Sequence, residues 1–335
     1  MKIFIRRILL FMLPLLPVVA TYMYFDPFKV LRSYDVYYVE GDGGYLNKNY
    51  VSTMNYINKR DKYHYDSFIF GNSRSMFYMI ADWQQHLDDD SQCYHFTESG
   101  GSINGLYYKL RLIEEKGDPI NNALFVIDYS LLSCMDRDGD GALFIMPPAL
   151  NRNKNFLIFH LENFLQWTNV DYLSLWFRYR ITGKYTDDMI EYIAKDENYK
   201  YYNPVTNEEP LHVQDSLISI GKYYDNGRIA VFDNQHRPKI WDSILDDEAI
   251  KVLSDIRDIL HRNNTDYRIV ISPLYDQVTL NPKDIQALHR IFGESHVYDF
   301  SGINEITQDY HNYYEPSHYV PRVAAAIMDK VYADQ

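Results

Sequence analysis

Cysteine and positive charge are both scarce in this sequence of 335 residues. The chain has two cysteines, Cys93 and Cys134, which excludes a disulfide framework. A single bridge remains open, but two small, buried apolar side chains are the favoured interpretation. Lysine and arginine number 33 against 46 aspartates and glutamates, a net charge of −13 at pH 7. This balance argues against a nucleic-acid-binding protein.

Short motifs of nucleotide and zinc enzymes are missing as well. The sequence contains no P-loop, no HExxH and no CxxC, so we expect neither a cofactor nor a bound metal. The acidic run 136–141 resembles the start of a calcium loop, but its twelfth position is Pro147, where an EF-hand needs glutamate. A solvated acidic turn is therefore the favoured interpretation.

Tyrosine, by contrast, is abundant, with 32 residues. Its amphipathic ring suits interfaces, wet clefts and surfaces on which sugars stack, although a compositional habit of the lineage explains the same number. Hydrophobic residues make up 46% of the chain and charged residues 24%, so a core can form and disorder is not expected. The length fits roughly two domains of about 150 residues, or one large α/β domain with an insertion.

A long uncharged run lies close to the N-terminus. Residues 8–25 carry no formal charge and follow a short basic stretch. A helix of this length covers about 27 Å, close to the roughly 30 Å hydrocarbon core of a bilayer. We predict a signal anchor over residues 1–25 whose basic side stays cytoplasmic, so that the rest of the chain is extracytoplasmic. A signal peptide cleaved after Ala20 is the alternative, and it also exports the chain.

Residues 26–60 are polar and rich in tyrosine, and we interpret them as a juxtamembrane stem. After this segment, short apolar runs alternate with stretches of helical periodicity. The runs that predict strands are residues 67–70, 94–96, 123–128, 267–272 and 296–300. Helical spacing of apolar side chains follows at residues 103–113, 250–260, 285–291 and 320–331. This alternation predicts an α/β domain over residues 61–335, with a five-stranded parallel sheet and helices on both faces.

The alternation is interrupted between about residues 133 and 247. This stretch is rich in tyrosine, tryptophan and asparagine, and we interpret it as an insertion with a helix near residues 187–194. Trp167, Trp176 and Trp241 are expected in the core of the insertion, with a glycan-stacking lid as the alternative.

Side chains suited to acyl transfer follow the predicted strands. The run Gly71-Asn72-Ser73-Arg74 comes after the first strand, Gly100-Gly101 after the second, and Glu315 precedes His318 just before the last helix. Loops at the carboxyl ends of parallel strands form the ligand site of such sheets. A serine hydroxyl, an imidazole and a carboxylate are the parts of a nucleophilic triad. Asp309 and His311 are weaker candidates for acid and base.

These motifs resemble the SGNH (GDSL-like) hydrolases. More narrowly, they resemble the membrane-anchored branch that includes the alginate O-acetylation proteins and the lipoteichoic-acid D-alanylation protein. The resemblance is carried by GNSRS after the first strand, the glycine loop after the second, and an acid three residues before a histidine at the last helix. It covers about residues 64–130 and 248–332.

The resemblance implies a three-layer α/β/α, flavodoxin-like domain and a role for each residue of the motifs. Ser73 would be the nucleophile, His318 the general base, and Glu315 the acid that orients the base. The N–H groups of Ser73 and of Gly100 or Gly101 would form the oxyanion hole.

The sequence also departs from the family pattern. The usual acid is aspartate, one methylene shorter than Glu315. Asp128-Tyr129-Ser130 stands where the family carries a Gly-x-Asn-Asp block, so one side-chain oxyanion donor is missing. Arg74, in place of the hydrolase leucine, resembles the acyltransferase branch, and we expect Arg74 and Asn72 to bind an anionic or sugar group.

Together these features predict a membrane-anchored, extracytoplasmic O-acyltransferase or esterase acting on a cell-surface or secreted polysaccharide. The resemblance implies a multi-pass membrane acyltransferase as the partner that delivers the acyl group, most simply acetyl. The alternative is a non-catalytic SGNH-like scaffold or glycan-binding component of a polysaccharide modification or export complex.

Overall fold

The computed structural model describes residues 13, 15–39, 44–193, 201–225 and 227–333. Within these ranges the chain forms eleven α-helices and nine strands, joined by loops and 3₁₀ turns. The helices are α1 (Leu15–Phe25), α2 (Lys48–Tyr63), α3 (Ile80–Trp83), α4 (Ile103–Lys116), α5 (Tyr129–Leu132), α6 (Phe156–Trp167), α7 (Val170–Thr182), α8 (His212–Ser219), α9 (Asp247–Arg262), α10 (Pro282–Phe292) and α11 (Pro321–Val331). The strands are β1 (Ser67–Gly71), β2 (Cys93–Thr97), β3 (Asn122–Ile127), β4 (Lys239–Ile240), β5 (Asp266–Ile271), β6 (Val278–Thr279), β7 (Val297–Asp299), β8 (Tyr313–Glu315) and β9 (His318–Tyr319).

Five parallel strands form the central sheet in the order β2-β1-β3-β5-β7. The predicted α/β class and five-stranded parallel sheet are therefore confirmed. Gly71, the last residue of β1, lies opposite Thr97 of β2 and Val126 of β3. The carboxyl ends of three neighbouring strands thus reach the same edge of the sheet, where ligands bind in such folds.

Side chains alternate between the two faces of the sheet, as the period of two in a strand requires. Phe68 and Phe70 of β1 face a core built with helices α2, α4, α9 and α10. Ile69, between them, faces a second core built with α3 and α11. Helices cover both faces, which is compatible with a three-layer arrangement.

The segment expected to be a stem contains a helix that belongs to the domain. Helix α2 begins at Lys48, where the Asn47 side chain accepts a hydrogen bond from the N–H of Tyr50 at 3.2 Å. Tyr56 in this helix is buried against the sheet. Periodicity did not reveal the helix because much of its buried side is polar: Asn49, Ser52, Thr53 and Asn55.

The stretch between β3 and α9 adds no strand to the central sheet in its described residues. The helix expected near residues 187–194 is only a 3₁₀ turn, Asp187–Met189, and residue 194 lies outside the described ranges. Trp167 and Trp176 of α6 and α7 are buried in a third apolar core, shared with α1. Trp241 instead stacks on Tyr129, at a ring distance of 4.4 Å.

The predicted anchor falls partly outside the described residues. Its described part is α1, a helix of 11 residues. Among the residues that the structure describes, no helix is both long enough and apolar enough to cross a bilayer.

Candidate active site

Ser73 occupies a tight turn between β1 and the helical segment that follows. A Cβ at Gly71 would lie 2.6 Å from the carbonyl oxygen of Val126, so only glycine allows β1 to end this close to β3. Asn72 then caps a 3₁₀ helix, and its side chain accepts a hydrogen bond from the N–H of Arg74 at 3.0 Å. Ser73 is the first residue of that helix, at the carboxyl edge of the sheet.

His318 and its acid lie on a short hairpin. Strands β8 and β9 pair antiparallel, with Glu315 directly opposite His318. One carboxylate oxygen of Glu315 accepts the N–H of Ser317 at 2.8 Å, and the other accepts a hydrogen bond from Nδ1 of His318. With the two residues opposite each other, the carboxylate of Glu315 reaches Nδ1 of His318 although glutamate is one methylene longer than aspartate.

The structure brings the three predicted triad residues together. Nε2 of His318 lies 2.8 Å from Oγ of Ser73. With Glu315 accepting at Nδ1, the neutral imidazole presents Nε2 as the acceptor for the serine proton. The side chains of His318 and Glu315 are 29% and 42% exposed, so the triad is accessible from solvent.

Opposing effects set the charge of Glu315. Burial by itself would raise the pKa of this carboxyl, but hydrogen bonds from His318 and Ser317, with electrostatic stabilisation by His318 and Arg74, outweigh it. The net result is a pKa below the usual range for glutamate. Glu315 is therefore a carboxylate at neutral pH, as the orienting role requires.

Arg74 connects three loops of the site. Its Nη1 donates to Oδ2 of Asp128 at 2.8 Å and to Oγ of Ser130 at 3.1 Å, both after β3. Its Nε donates to the carbonyl oxygen of Ser317, between Glu315 and His318, at 3.2 Å. The nucleophile loop is thereby tied to the loop of the base. Nη2 of Arg74 has no hydrogen-bond partner among the described residues.

Asp128 holds the residues on both sides of the nucleophile. Its Oδ2 also accepts from Nδ2 of Asn72 at 2.6 Å, and its Oδ1 accepts from the N–H groups of Ser130 and Leu131. Burial alone would raise the pKa of Asp128, but the charge of Arg74 and these hydrogen bonds lower it overall. Asn72 and Arg74, predicted to bind substrate, thus have most of their polar atoms engaged within the protein.

The predicted glycine loop lies against the nucleophile turn. Gly100 and Gly101 both have positive φ, +67° and +72°. A Cβ on Gly101 would lie 2.9 Å from Cβ of Asn72, and one on Gly100 would lie 3.0 Å from the guanidinium of Arg137. Only glycine permits this backbone conformation and this approach together.

The N–H groups of the loop are not equivalent. The N–H of Gly101 donates to the carbonyl oxygen of Ser99 at 2.7 Å, within the loop itself. The N–H groups of Ser73 and Gly100 have no hydrogen-bond partner among the described residues. Of the three predicted oxyanion donors, these two are therefore free to stabilise an oxyanion in this conformation.

A buried ion pair lies beside the glycine loop and connects the residues at its two ends. Nζ of Lys109 in α4 donates to Oε2 of Glu98 at 2.7 Å, and both side chains are fully buried. The other oxygen, Oε1, accepts the N–H of Ser102 at 2.8 Å. Burial lowers the pKa of Lys109, while the neighbouring carboxylate opposes that effect.

Sequence reasoning found the triad but missed the residues that support it. The supporting side chains are Asp128, Ser130, Glu98, Lys109 and Arg137, the last of which donates from Nε to the carbonyl oxygen of Gly101 at 3.2 Å. For Asp128 the available signal was its place at the carboxyl end of a predicted strand. For Glu98 and Lys109 the signal was an acid just before the two glycines and a base in the helix that follows them. Only the fold brings these two side chains together.

Other candidates lie apart from the triad. Asp309 and His311 bind each other at 2.7 Å on the surface. His95 contacts Ser75 Oγ at 3.0 Å, but it is fully buried and burial lowers its pKa to about 3, so this pair is structural. Asp138, in the acidic run, forms an ion pair with Lys154.

Cys93 and Cys134 are both free. Among the described residues, no group of three or more potential metal ligands is found.

A cavity of about 830 Å³ lies beside residues 320–322, which follow His318 in the chain; the described residues that line it do not include the triad itself. It is lined by Val320, Arg322, Tyr224, Tyr310 and Asp215, among others. Its size is within the range of ligand pockets, and its aromatic and charged walls suit a polar ligand with flat apolar faces.

Comparison with protein-family models finds none that matches this chain. A search of curated proteins likewise finds no match. The geometry of the site is therefore the basis for assigning a function.

Proposed function

We propose that this protein is a serine-dependent O-acyltransferase or carbohydrate esterase of the SGNH type. The observation that carries the proposal is the continuous chain from Ser73 Oγ through His318 to the carboxylate of Glu315. The order of the central sheet and the helices on both its faces also support the flavodoxin-like, three-layer architecture of that superfamily.

In the first half-reaction, an acyl ester donor binds with its carbonyl carbon beside Ser73 Oγ. His318 Nε2 removes the hydroxyl proton as the oxygen attacks, and the carbonyl oxygen becomes an oxyanion that the N–H groups of Ser73 and Gly100 stabilise. The imidazolium then gives its proton to the departing alcohol oxygen. The product is an acyl ester on Ser73, and Glu315 keeps its charge throughout.

In the second half-reaction, His318 removes a proton from the acceptor hydroxyl, whose oxygen attacks the acyl-serine. The bond to Ser73 Oγ breaks, and the proton returns to that oxygen through His318. A sugar hydroxyl as acceptor makes the protein a transferase, and water makes it an esterase. Exclusion of water from the site decides between the two.

We place the acceptor polysaccharide in the cavity that follows His318. Tyr224 and Tyr310 supply rings on which sugars stack, and Asp215 and Arg322 supply hydrogen-bonding groups. The acyl group is most simply acetyl.

We further propose that the domain is extracytoplasmic and anchored to the membrane by the N-terminal segment. The basis is the uncharged run of residues 8–25 after a basic stretch. In this setting a multi-pass membrane acyltransferase supplies the acyl group to Ser73.

The test is covalent labelling of the full chain. The protein is treated with a fluorophosphonate probe, or with an activated acetyl ester, and the adduct is located by peptide mass spectrometry. We expect modification of Ser73 that is lost in both Ser73→Ala and His318→Ala. Ser133→Ala, an exposed serine after β3, is the matched control and should label normally.

A folded protein whose Ser73 stays unmodified would overturn the catalytic proposal. It would favour a non-catalytic SGNH-like scaffold or glycan-binding component instead. Circular dichroism of each variant separates that outcome from misfolding.

A further inference from the structure

Helices α6 and α7 follow each other in the chain with only residues 168 and 169 between them, and both carry exposed apolar side chains; together they are here called the hairpin. In α6 the exposed large side chains are all apolar: Phe156, Leu157, Ile158, Leu161 and Leu165. Leu157, Leu161 and Leu165 recur every fourth residue, so they form one stripe along the helix. The opposite, buried face includes a polar residue, Asn163. The outward face is therefore more apolar than the inward one, the reverse of a helix in water.

Helix α7 also carries exposed apolar side chains. Val170 and Ile181 are 78% and 80% exposed, and Phe177 lies between them on the same side. Its inward face carries the aromatic residues Tyr172, Trp176 and Tyr179.

The hairpin packs directly against α1. The ring of Tyr22 lies 5.3 Å from that of Phe164, and the ring of Phe25 lies 5.2 Å from that of Trp176. Helix α1 carries exposed apolar side chains of its own: Leu16, Met23, Tyr24 and Phe25. Helix α1 is the described end of the uncharged run 8–25.

We propose that the hairpin lies in the lipid–water interface, with the α6 stripe among the acyl chains. The occupant of this surface is the bilayer, because the hairpin packs against α1, the described end of the segment of the chain most suited to lipid. An apolar patch of this extent on a soluble protein marks an interaction surface. Helices that lie in the plane of a membrane bury an apolar face about 5–10 Å into the boundary between headgroups and acyl chains.

The flank of the hairpin fits this orientation. The guanidinium of Arg180 lies over the rings of Phe25 and Trp176, 5.3 and 5.5 Å from their centres. Aromatic rings with an adjacent cation are characteristic of the headgroup level. The hairpin thus adds a second membrane contact beside the N-terminal segment and fixes how the domain is oriented on the surface. This inference does not depend on the catalytic proposal.

Fluorescence from single positions in the full chain tests the proposal. In a Cys134→Ser background, where the remaining Cys93 is buried, Leu161→Cys is labelled with an environment-sensitive dye. Lys251→Cys is the control, because Lys251 is exposed on α9, outside the hairpin. The chain is reconstituted in phosphatidylcholine–phosphatidylglycerol vesicles with and without lipids that carry a spin label on the acyl chain.

We expect the probe at residue 161 to emit at shorter wavelength than the one at 251 and to be quenched several-fold more by the spin-labelled lipid. Equal emission and quenching at both positions would overturn the proposal. A shifted emission that the lipid does not quench would also overturn it, since protein would then cover the surface. Ile181→Cys gives a second reading on α7 should the first variant fold poorly.

Discussion

Single side chains decide whether this site can do chemistry, and Glu315 is the most informative of them. A glutamate in the position of the usual aspartate suggests a carboxylate that overshoots its histidine. The β8–β9 hairpin removes this difficulty because it places Glu315 and His318 directly across from each other. The extra methylene is accommodated by the hairpin, and both carboxylate oxygens have partners.

Hydrolysis of an activated acetyl ester should rise with pH between 5 and 8. A histidine that acts as general base must be neutral to accept the serine proton, so the rate should rise through the pH range in which histidine side chains change charge. The pKa of Glu315 is lowered, so its carboxyl is already ionised across this range and adds no second step. The initial rate is measured against pH, with Ser73→Ala subtracted as the background. A flat profile would contradict the role of His318.

Replacement of Arg74 should reduce both activity and stability. Arg74→Ala leaves the buried carboxylate of Asp128 without its cation, a change that typically costs about 3–5 kcal/mol. Arg74→Lys keeps the charge but cannot bind Asp128, Ser130 and Ser317 together, so stability should recover more than activity. Urea unfolding and ester hydrolysis are measured for both variants.

Arg152→Ala is the control for the arginine variants, since Arg152 is 64% exposed and its removal should change stability by about 0.5 kcal/mol or less. Full activity in folded Arg74→Ala would mean that the link between the two loops is not needed for catalysis.

At the scale of helices and strands, apolar runs predicted the five strands of the central sheet. Helical periodicity predicted four of the helices, α4, α9, α10 and α11. Periodicity failed at α2, whose buried side carries polar groups. There Ser52 Oγ donates to the carbonyl oxygen of Thr97, and Asn55 Nδ2 donates to that of Pro204. These partners are distant in sequence, so no local pattern could have marked Ser52 and Asn55 as inward-facing.

In the candidate site, too, some residues were predictable from the sequence and others depend on contacts between distant segments. Ser73, Glu315 and His318 were predicted because strand ends and a helix start are visible in the sequence. Asp128 and Arg74 depend on contacts between three separate loops, which only the assembled sheet creates. Their joint role therefore lay beyond sequence reasoning, although each lies next to a predicted strand end.

The glycine loop offers a prediction with a close internal control. Gly101→Ala should lower activity at least tenfold and destabilise the fold, because its φ is +72° and the new Cβ would lie 2.9 Å from Cβ of Asn72. Gly117→Ala, at the end of α4, has a φ of +75° but no atom within 4 Å of the added Cβ. It should cost only the backbone strain, about 1–2 kcal/mol, and keep full activity per folded molecule.

Equal losses of activity in the two glycine variants would show that the approach of Gly101 to Asn72 does not position the nucleophile. Activity is therefore normalised to the folded fraction from urea unfolding.

At the scale of the whole molecule, the predicted boundary between stem and domain differs from the one in the structure. Residues before 61 were expected to be a stem outside the domain, yet α2 closes one face of the sheet. Tyr56 packs against Phe68 and Phe96, with ring distances of 6.1 and 5.1 Å. Its hydroxyl binds Asp118, at the end of α4, and so links the N-terminal segment to the second βα unit.

If α2 is part of the folded domain, Tyr56→Ala should destabilise the full chain by about 3–5 kcal/mol, the usual cost of removing a large buried ring. Tyr63→Ala in the same helix is the matched control: Tyr63 is only partly buried, stacks on Tyr65, and should cost about 1 kcal/mol or less. Unfolding in urea, followed by tryptophan fluorescence, measures both, since Trp83 lies in the core on the opposite face of the sheet. A small and equal effect of the two substitutions would mean that α2 rests on the domain without stabilising it, and the stem boundary at residue 61 would then be the better description.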